Sequence, residues 1–124
     1  MTRQMLDAIH QAQIREHGGS IGVRDAGLLE SALARAQHKF VYGEKPDWGL
    51  LAAAYAFGLA KNHGFVDGNK RVAFMTAYVF LGLNGYDLDV GEPEIVATME
   101  GVAASSVTEA GLAKWFRLHV QPAK

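Results

Sequence analysis

The chain has 124 residues, with 12 basic and 13 acidic side chains, a net charge of −1 and no cysteine. This length is typical of one domain with its own core, so we expect a single domain over residues 1–124. The balanced charge argues against a dedicated nucleic-acid binder, and the lack of cysteine excludes disulfides and thiolate metal sites. The longest uncharged run, residues 72–86, is too short to span a bilayer, which favours a soluble, cytoplasmic protein.

Apolar residues recur at helical spacing through the first half of the chain. The first predicted helix ends at Gly18-Gly19 and carries an apolar stripe, made up of Met1, Met5, Ala8, Ile9 and Ala12. A second helix is predicted after Asp25 and a third after Asp47, because aspartate is a good N-cap. Between them, residues 42–46 break the periodicity and are typical of an exposed loop.

The second half of the chain is predicted to be helical as well. A helix from about Asn69 to Leu83 is apolar on almost every side, which indicates a central helix wrapped by the others. Pro93 suits the first turn of a helix that ends near Ala104, and Ser106 with Glu109 predicts a capping box for the last helix. The predicted inner face of that helix consists of Leu112, Trp115, Phe116 and Val120. No segment has the pattern of a strand, so we predict an all-α protein.

Residues 63–71, with the sequence His-Gly-Phe-Val-Asp-Gly-Asn-Lys-Arg, form the most informative segment. A helix that begins near Asn69 directs its free backbone N–H groups and the positive end of its dipole toward Asp67 and Gly68. Lys70 and Arg71 add two cations, which one carboxylate cannot balance. The segment therefore predicts a cradle for a phosphate-bearing ligand.

The same segment contains the groups that phosphoryl or nucleotidyl transfer needs. His63 is a candidate general base and Asp67 a candidate Mg²⁺ ligand, whereas Phe65 is predicted to lie in the core. Each residue also has a simpler interpretation. His63 can be a helix-end histidine, Asp67 an N-cap, and Asp67 with Lys70 and Arg71 a surface ion-pair cluster.

Residues 63–71 resemble the signature of the Fic/Doc superfamily, in its Doc (death-on-curing toxin) branch. The resemblance covers nearly the whole chain and includes Ile9-His10, His17-Gly18-Gly19, Val23-Arg24-Asp25, Ala52-Ala53-Ala54-Tyr55 and Asn84-Gly85-Tyr86. It implies a Fic fold, a compact helical bundle around the central helix at about Asn69 to Leu83. It also implies a flap loop near residues 40–46 that binds the target protein.

The resemblance implies a transfer from ATP to a hydroxyl of a target protein. In this chemistry the residue at His63 takes the hydroxyl proton, the residue at Asp67 holds Mg²⁺ on the phosphates, and residues 68–71 form the anion cradle. Most Fic signatures carry glycine where this chain has Lys70 and arginine where it has Phe74. Both departures belong to the Doc pattern, which is associated with transfer of the terminal phosphate.

By resemblance we therefore expect a toxin that phosphorylates a serine or threonine of elongation factor Tu, arrests translation and is restrained by a cognate antitoxin. Two alternatives remain open: AMP transfer by the same residues, and a non-catalytic module that binds the antitoxin as a co-repressor. Arg24, which could reach a phosphate or an adenine, and Tyr42, in the flap loop, are secondary site candidates. The other histidines show no metal-ligand spacing and are interpreted as ordinary; they are His10, His17, His38 and His119.

Overall fold

The computed structural model describes residues 1–41 and 46–124, with only the backbone described for Phe40 and Val41. The helices in this part of the chain are α1 (Arg3–His17), α2 (Ala26–Val41), α3 (Trp48–Asn62), α4 (Asn69–Leu83), α5 (Glu92–Ala103) and α6 (Glu109–His119). The strands are β1 (Tyr86–Leu88) and β2 (Val120–Pro122). The all-α prediction is confirmed, and α4 has the predicted bounds. Most of the predicted flap loop, including Tyr42, lies outside the described residues.

Helices α3 and α4 form the interior of the bundle. Helix α4 packs against α1, α3, α5 and β1, as predicted for an inner helix. Helix α3 is still more deeply buried and contacts α2, α4, α5 and α6. Its fully buried side chains are small, which lets the neighbouring helices approach closely; they include Ala52, Ala53, Ala54, Ala56 and Ala60. None of the helices in the described ranges combines the length and apolarity that crossing a bilayer requires.

Both predicted aspartate caps are confirmed. The Asp25 carboxylate accepts a hydrogen bond from the Leu28 N–H at 3.2 Å, at the start of α2. The Asp47 carboxylate accepts one from the Leu50 N–H at 3.0 Å, at the start of α3. Each bond satisfies an N–H group that has no partner within its own helix.

The predicted capping box of the last helix is wrong. Thr108 is the N-cap of α6, and its hydroxyl accepts a hydrogen bond from the Gly111 N–H at 3.0 Å. The Ser106 hydroxyl instead donates to the carbonyl of Gly101 at the end of α5. Threonine and serine are both good caps, so sequence spacing alone did not distinguish them.

The prediction that the chain contains no strand also needs correction. Strands β1 and β2 pair antiparallel, with Leu88 opposite Val120 and Tyr86 opposite Pro122. Val120 was predicted to lie on the inner face of the last helix but starts β2. Because a residue that precedes proline disfavours helical backbone, Gln121 is driven toward the extended conformation and α6 ends before it.

The buried face of α1 differs from the predicted apolar stripe. The residues that α1 buries are Leu6, His10, Gln13 and Ile14, whereas Ala8 and Ala12 are exposed. The buried set has the spacing of one helical face, but two of its members are polar. A prediction based on apolar residues therefore misplaced the face.

We predict a pH-dependent contribution to stability from the ion pair that joins α6 to the start of α3. The Arg117 guanidinium lies 2.7 Å from the Asp47 carboxylate, and its hydrogen bonds, with that of the Leu50 N–H, lower the pKa of Asp47 below 3.8. Asp47→Asn keeps an N-cap but removes the charge, so it should lower the free energy of unfolding at pH 7 by about 0.2–1 kcal/mol. Because the folded-state pKa is lowered, the wild-type advantage is present above pH 3.8 and disappears as the pH falls through the folded-state value.

Urea denaturation of both proteins at pH 7, pH 5 and pH 2.5 would measure this difference. Asp89→Asn, which neutralises an exposed carboxylate outside this ion pair, is the matched control. A wild-type advantage of the same size at all three pH values would contradict the prediction.

Candidate functional site

The loop between α3 and α4 is fixed by backbone hydrogen bonds to the segment that precedes α2. The Arg24 N–H donates to the carbonyl of Gly64 at 2.8 Å, and the Val66 N–H donates to that of Gly22 at 3.0 Å. Between these bonds Phe65 lies in the core as predicted, with 2% of its surface exposed. The loop therefore has a defined position relative to the core.

Asn69, the first residue of α4, holds this loop with its side chain. Its amide oxygen accepts from the Phe65 N–H at 3.0 Å, and its amide nitrogen donates to the Phe65 carbonyl at 2.9 Å. Gly68 is the N-cap of α4, with a φ of 75° that favours glycine. Asn69 was predicted to bind phosphate, but its side chain is engaged with Phe65, so its backbone N–H is the group that it can offer to an anion.

Asp67 presents a carboxylate held by two backbone groups. One oxygen accepts from the Gly68 N–H at 2.8 Å and the other from the Ser20 N–H at 3.1 Å. The hydrogen bond from Ser20, followed by that from Gly68, lowers the pKa of Asp67 below its usual value, which favours the ionised form. A Cβ on Gly19 would lie only 2.7 Å from the carboxylate, so this close approach depends on glycine.

Lys70 and Arg71 follow on the first turn of α4. The Lys70 side chain is exposed, and the Arg71 guanidinium makes one long contact, 3.4 Å from the carbonyl of Gly18. Within the described ranges neither cation forms an ion pair with Asp67. The surface ion-pair cluster considered above is therefore not formed, and both cations are available to an external anion.

His63 lies at the C-terminal end of α3, as its helix-end interpretation predicts. It is exposed, and its backbone has the left-handed conformation with a φ of 50°. The Arg24 guanidinium donates to the carbonyl of His63 at 2.6 Å and to that of Asn62 at 2.9 Å. Arg24 thus satisfies the last carbonyls of α3, a favourable role for a cation at this helix end. Its guanidinium does not line the pocket described next.

Two neighbouring depressions meet at Lys70 and Arg71. We call the smaller one the cradle; it has a volume of about 300 Å³ and is lined by His63, Val66, Asp67, Gly68, Asn69, Lys70 and Arg71. We call the larger one the apolar groove; it has a volume of about 610 Å³ and lies between α4 and α5. Its apolar wall consists of Phe74, Met75, Tyr78, Leu88, Val90, Ile95, Val96 and Met99.

The cradle combines the groups that handle a phosphate. It brings together an imidazole, an ionised carboxylate, two cations and the free N–H groups of a helix start. Such a set is able to bind an anion, hold a divalent cation against it and accept a proton at its edge.

One residue beneath the loop was not predicted from the sequence to belong to the site. His10, interpreted there as ordinary, has its ring stacked on that of Phe65 and a ring nitrogen 3.1 Å from the carbonyl of Asp67. The sequence carried no clear signal for it, because the buried face of α1 was itself misplaced. Tyr42, the other secondary candidate, lies outside the described residues.

Comparison with known proteins identifies the family. A model described as "Fic/DOC family" matches residues 1–81, which contain the whole cradle. The chain belongs to the Fic/Doc family. A Fic/Doc protein of Escherichia phage P1, named "Protein kinase doc", is 33% identical over 112 residues, which are 90% of this chain and 88% of that protein. "Toxin Doc" of Mycolicibacterium smegmatis is 49% identical over 73 residues, or 57% of this chain and 55% of that protein.

The matched family model ends within α4 and does not extend over the apolar groove as a whole. Helix α5 and the segment that follows α4 supply five of the eight apolar wall residues, and the 112-residue similarity to the phage P1 protein extends over them. The matched model thus contains every residue that lines the cradle, and the groove is completed by residues beyond the end of that model.

We predict that Gly64 is required by packing within the loop. A Cβ at this position would lie 2.3 Å from the side chain of Leu29, which is fully buried and has little room to move. Gly64→Ala should therefore lower the free energy of unfolding by about 1–3 kcal/mol. Urea denaturation would measure the loss.

Gly82→Ala is the matched control, because a Cβ at that helical position meets nothing within 4 Å. Alanine has the higher helix propensity, so this control should be neutral or stabilising by up to about 1 kcal/mol. Equal destabilisation by both substitutions would contradict the packing explanation.

Proposed function

We propose that this chain is the toxin of a toxin–antitoxin system and transfers the γ-phosphate of ATP to a serine or threonine hydroxyl of a protein. The observation that carries the proposal is the cradle, where His63 and Asp67 lie beside the two cations of α4. The names of the two relatives, "Protein kinase doc" and "Toxin Doc", support a toxin with transferase activity. By resemblance, the target is elongation factor Tu, in the cytoplasm.

Lys70 and Phe74 favour phosphate transfer over AMP transfer. Lys70 is exposed and lines both the cradle and the apolar groove, so it fills space that a glycine would leave open to a longer phosphate chain. Phe74 is almost fully buried and packs against the rings of Trp115 and Phe116, with centroid distances of 6.5 and 6.4 Å. A phenyl ring there offers no charge to a second phosphate group.

Asp67 is the residue that we assign to Mg²⁺. Its carboxylate is ionised and exposed, and each oxygen accepts one backbone N–H, which leaves further lone pairs for a cation. Mg²⁺ is commonly held by one or two carboxylates together with substrate phosphates and water, so this donor set fits. When bound, the ion would neutralise charge on the phosphates of ATP.

The other residues of the cradle have separate roles in the phosphate transfer. A neutral imidazole has a ring nitrogen that accepts a proton, so His63 is suited to take the proton from the target hydroxyl as its oxygen attacks the γ-phosphorus. The bond from that phosphorus to the oxygen bridging to the β-phosphate then breaks, and ADP leaves. Lys70, Arg71 and the first N–H groups of α4 stabilise the charge on the transferred group.

The apolar groove is the site that we propose for the antitoxin. An antitoxin segment with apolar side chains fits its wall, where Tyr78 and Val96 are 39% and 49% exposed. An acidic residue at the end of that segment would meet Lys70 and Arg71, which the groove shares with the cradle. An occupant of the groove would thereby compete with the phosphates for the same cations.

The first prediction from this function concerns which phosphate is transferred. Purified protein with Mg²⁺ in a bacterial translation extract should place label from γ-labelled ATP, and not from α-labelled ATP, on one protein. His63→Ala should reduce the rate by about 10²–10⁴-fold through loss of the base. His38→Ala, which replaces an exposed histidine on α2 outside the cradle, should leave the rate unchanged.

Other outcomes of this experiment point to the alternatives. Label from α-labelled ATP would favour AMP transfer. Label from neither, together with a block of translation that survives His63→Ala, would favour a binding mechanism.

The second prediction concerns the groove. Val96→Lys places a cation between Glu92 and Glu100, one helical turn away on either side, so α5 should remain intact. We expect it to weaken binding of the cognate antitoxin by at least 10-fold in a calorimetric titration and to leave transferase activity unchanged. Leu118→Lys, a matched change of an exposed leucine on α6 outside the groove, should bind as the wild type does. A raised KM for ATP with normal antitoxin binding would instead assign the groove to the nucleotide.

A further inference from the structure

His10 makes two contacts with the loop that contains Asp67. It lies on the buried face of α1 with 3% of its surface exposed, and its Nε2 is 3.1 Å from the backbone carbonyl of Asp67. A carbonyl oxygen can only accept, so Nε2 carries a proton and donates it. The imidazole ring also stacks on that of Phe65, with centroids 3.9 Å apart and planes within 7° of parallel.

These contacts fix the backbone of the loop at Asp67, the residue that carries the carboxylate of the cradle. The His10 imidazole, on α1, donates to the backbone carbonyl of Asp67. The Ser20 N–H, in the segment that follows α1, donates to the Asp67 carboxylate. Rotation of the peptide unit between Asp67 and Gly68 would break the first bond and would also move the Gly68 N–H away from the carboxylate oxygen to which it donates. Two points of attachment, one on the backbone and one on the side chain, therefore define where the carboxylate points.

Filling the space beneath Phe65 would not by itself require a histidine at this position. Burying an imidazole among apolar side chains costs free energy unless its polar atoms are paired, and an apolar ring would fill the same space. The polar partner of the His10 imidazole is Asp67, the residue whose carboxylate lines the cradle.

We propose that His10 is a positioning residue, which orients the Asp67 carboxylate for a divalent cation by donating from Nε2 to the Asp67 carbonyl. The inference rests on the proposed function, in which Asp67 binds Mg²⁺. It adds a residue of α1 to the site. Partners of this kind, which orient a metal ligand, typically contribute a factor of about 10–100 in metal affinity or activity.

The experiment separates the two contacts of His10. His10→Phe keeps a ring for stacking and loses the donor, whereas His10→Gln keeps an N–H donor and loses the ring. The dissociation constant of Mn²⁺ would be measured by electron paramagnetic resonance, with a non-hydrolysable ATP analogue present and below the unfolding temperature of every variant. His10→Phe should bind Mn²⁺ about 10-fold more weakly than the wild type, and His10→Gln should recover most of this loss.

Two controls keep the outcomes distinct. Ala113→Gly, at a buried position of α6 remote from the loop, lowers stability by about 1 kcal/mol and should not change Mn²⁺ affinity. Asp67→Asn tests the proposed function itself. If Asp67→Asn leaves Mn²⁺ affinity unchanged, the metal assignment fails; if it abolishes binding while His10→Phe binds as the wild type does, only the role of His10 is overturned.

A variant with a shorter amide side chain provides a test that does not depend on His10→Phe. If His10→Phe does not fold, His10→Gln would be compared with His10→Asn, whose side chain is one methylene shorter and does not reach the carbonyl. Weaker Mn²⁺ binding by His10→Asn than by His10→Gln is expected, and equal affinities would overturn the proposal.

Discussion

The pair of hydrogen bonds between the Asn69 side chain and the backbone of Phe65 reconciles two conflicting requirements of this site. In the function that we propose, the first turn of α4 has to remain open, because its N–H groups and cations bind an external anion. The loop that leads into the turn has to be rigid, because the groups around the anion must keep their relative positions. Asn69 ties the loop to the helix start, and Phe65 ties the same loop to the core.

The distribution of ion pairs also leaves the cations at the first turn of α4 open to an anion. Ion pairs elsewhere in the described chain engage cations of α1, α2 and α6: Arg3 with Asp7 and Glu30, Arg35 and Lys39 with Glu109, and Arg117 with Asp47. Within the same ranges Lys70 and Arg71 have no such carboxylate partner, although both lie near Asp67. Their field therefore adds to that of the helix start and attracts anions to the cradle.

The elements that sequence predicted best are those whose signals are local. Aspartate caps before α2 and α3 act within a single turn, and the cations of the cradle lie next to the loop in sequence, so spacing alone placed them. The uncharged run at residues 72–86 indicated that a buried helix follows the cradle, and α4 (Asn69–Leu83) is that helix. The family signature within residues 63–71 similarly requires no knowledge of distant contacts.

The contacts that the sequence did not reveal depend on distant partners. His10 and Arg24 each bond to a carbonyl about 40 or more residues away, and nothing in their neighbourhoods indicates which one. Strands β1 and β2 have three residues each, too short for a visible alternation, and are separated by 31 residues that include two helices. Such contacts are properties of the folded chain, so they became visible only in the structure.

The pairing of β1 with β2 has a consequence for the order in which the molecule is completed. Leu88, part of the groove wall, pairs with Val120, while every residue that lines the cradle precedes position 72. During synthesis the N-terminal part of a chain is available to fold first. The residues of the cradle are therefore synthesised before β2, whose pairing with β1 holds Leu88 in the wall of the groove.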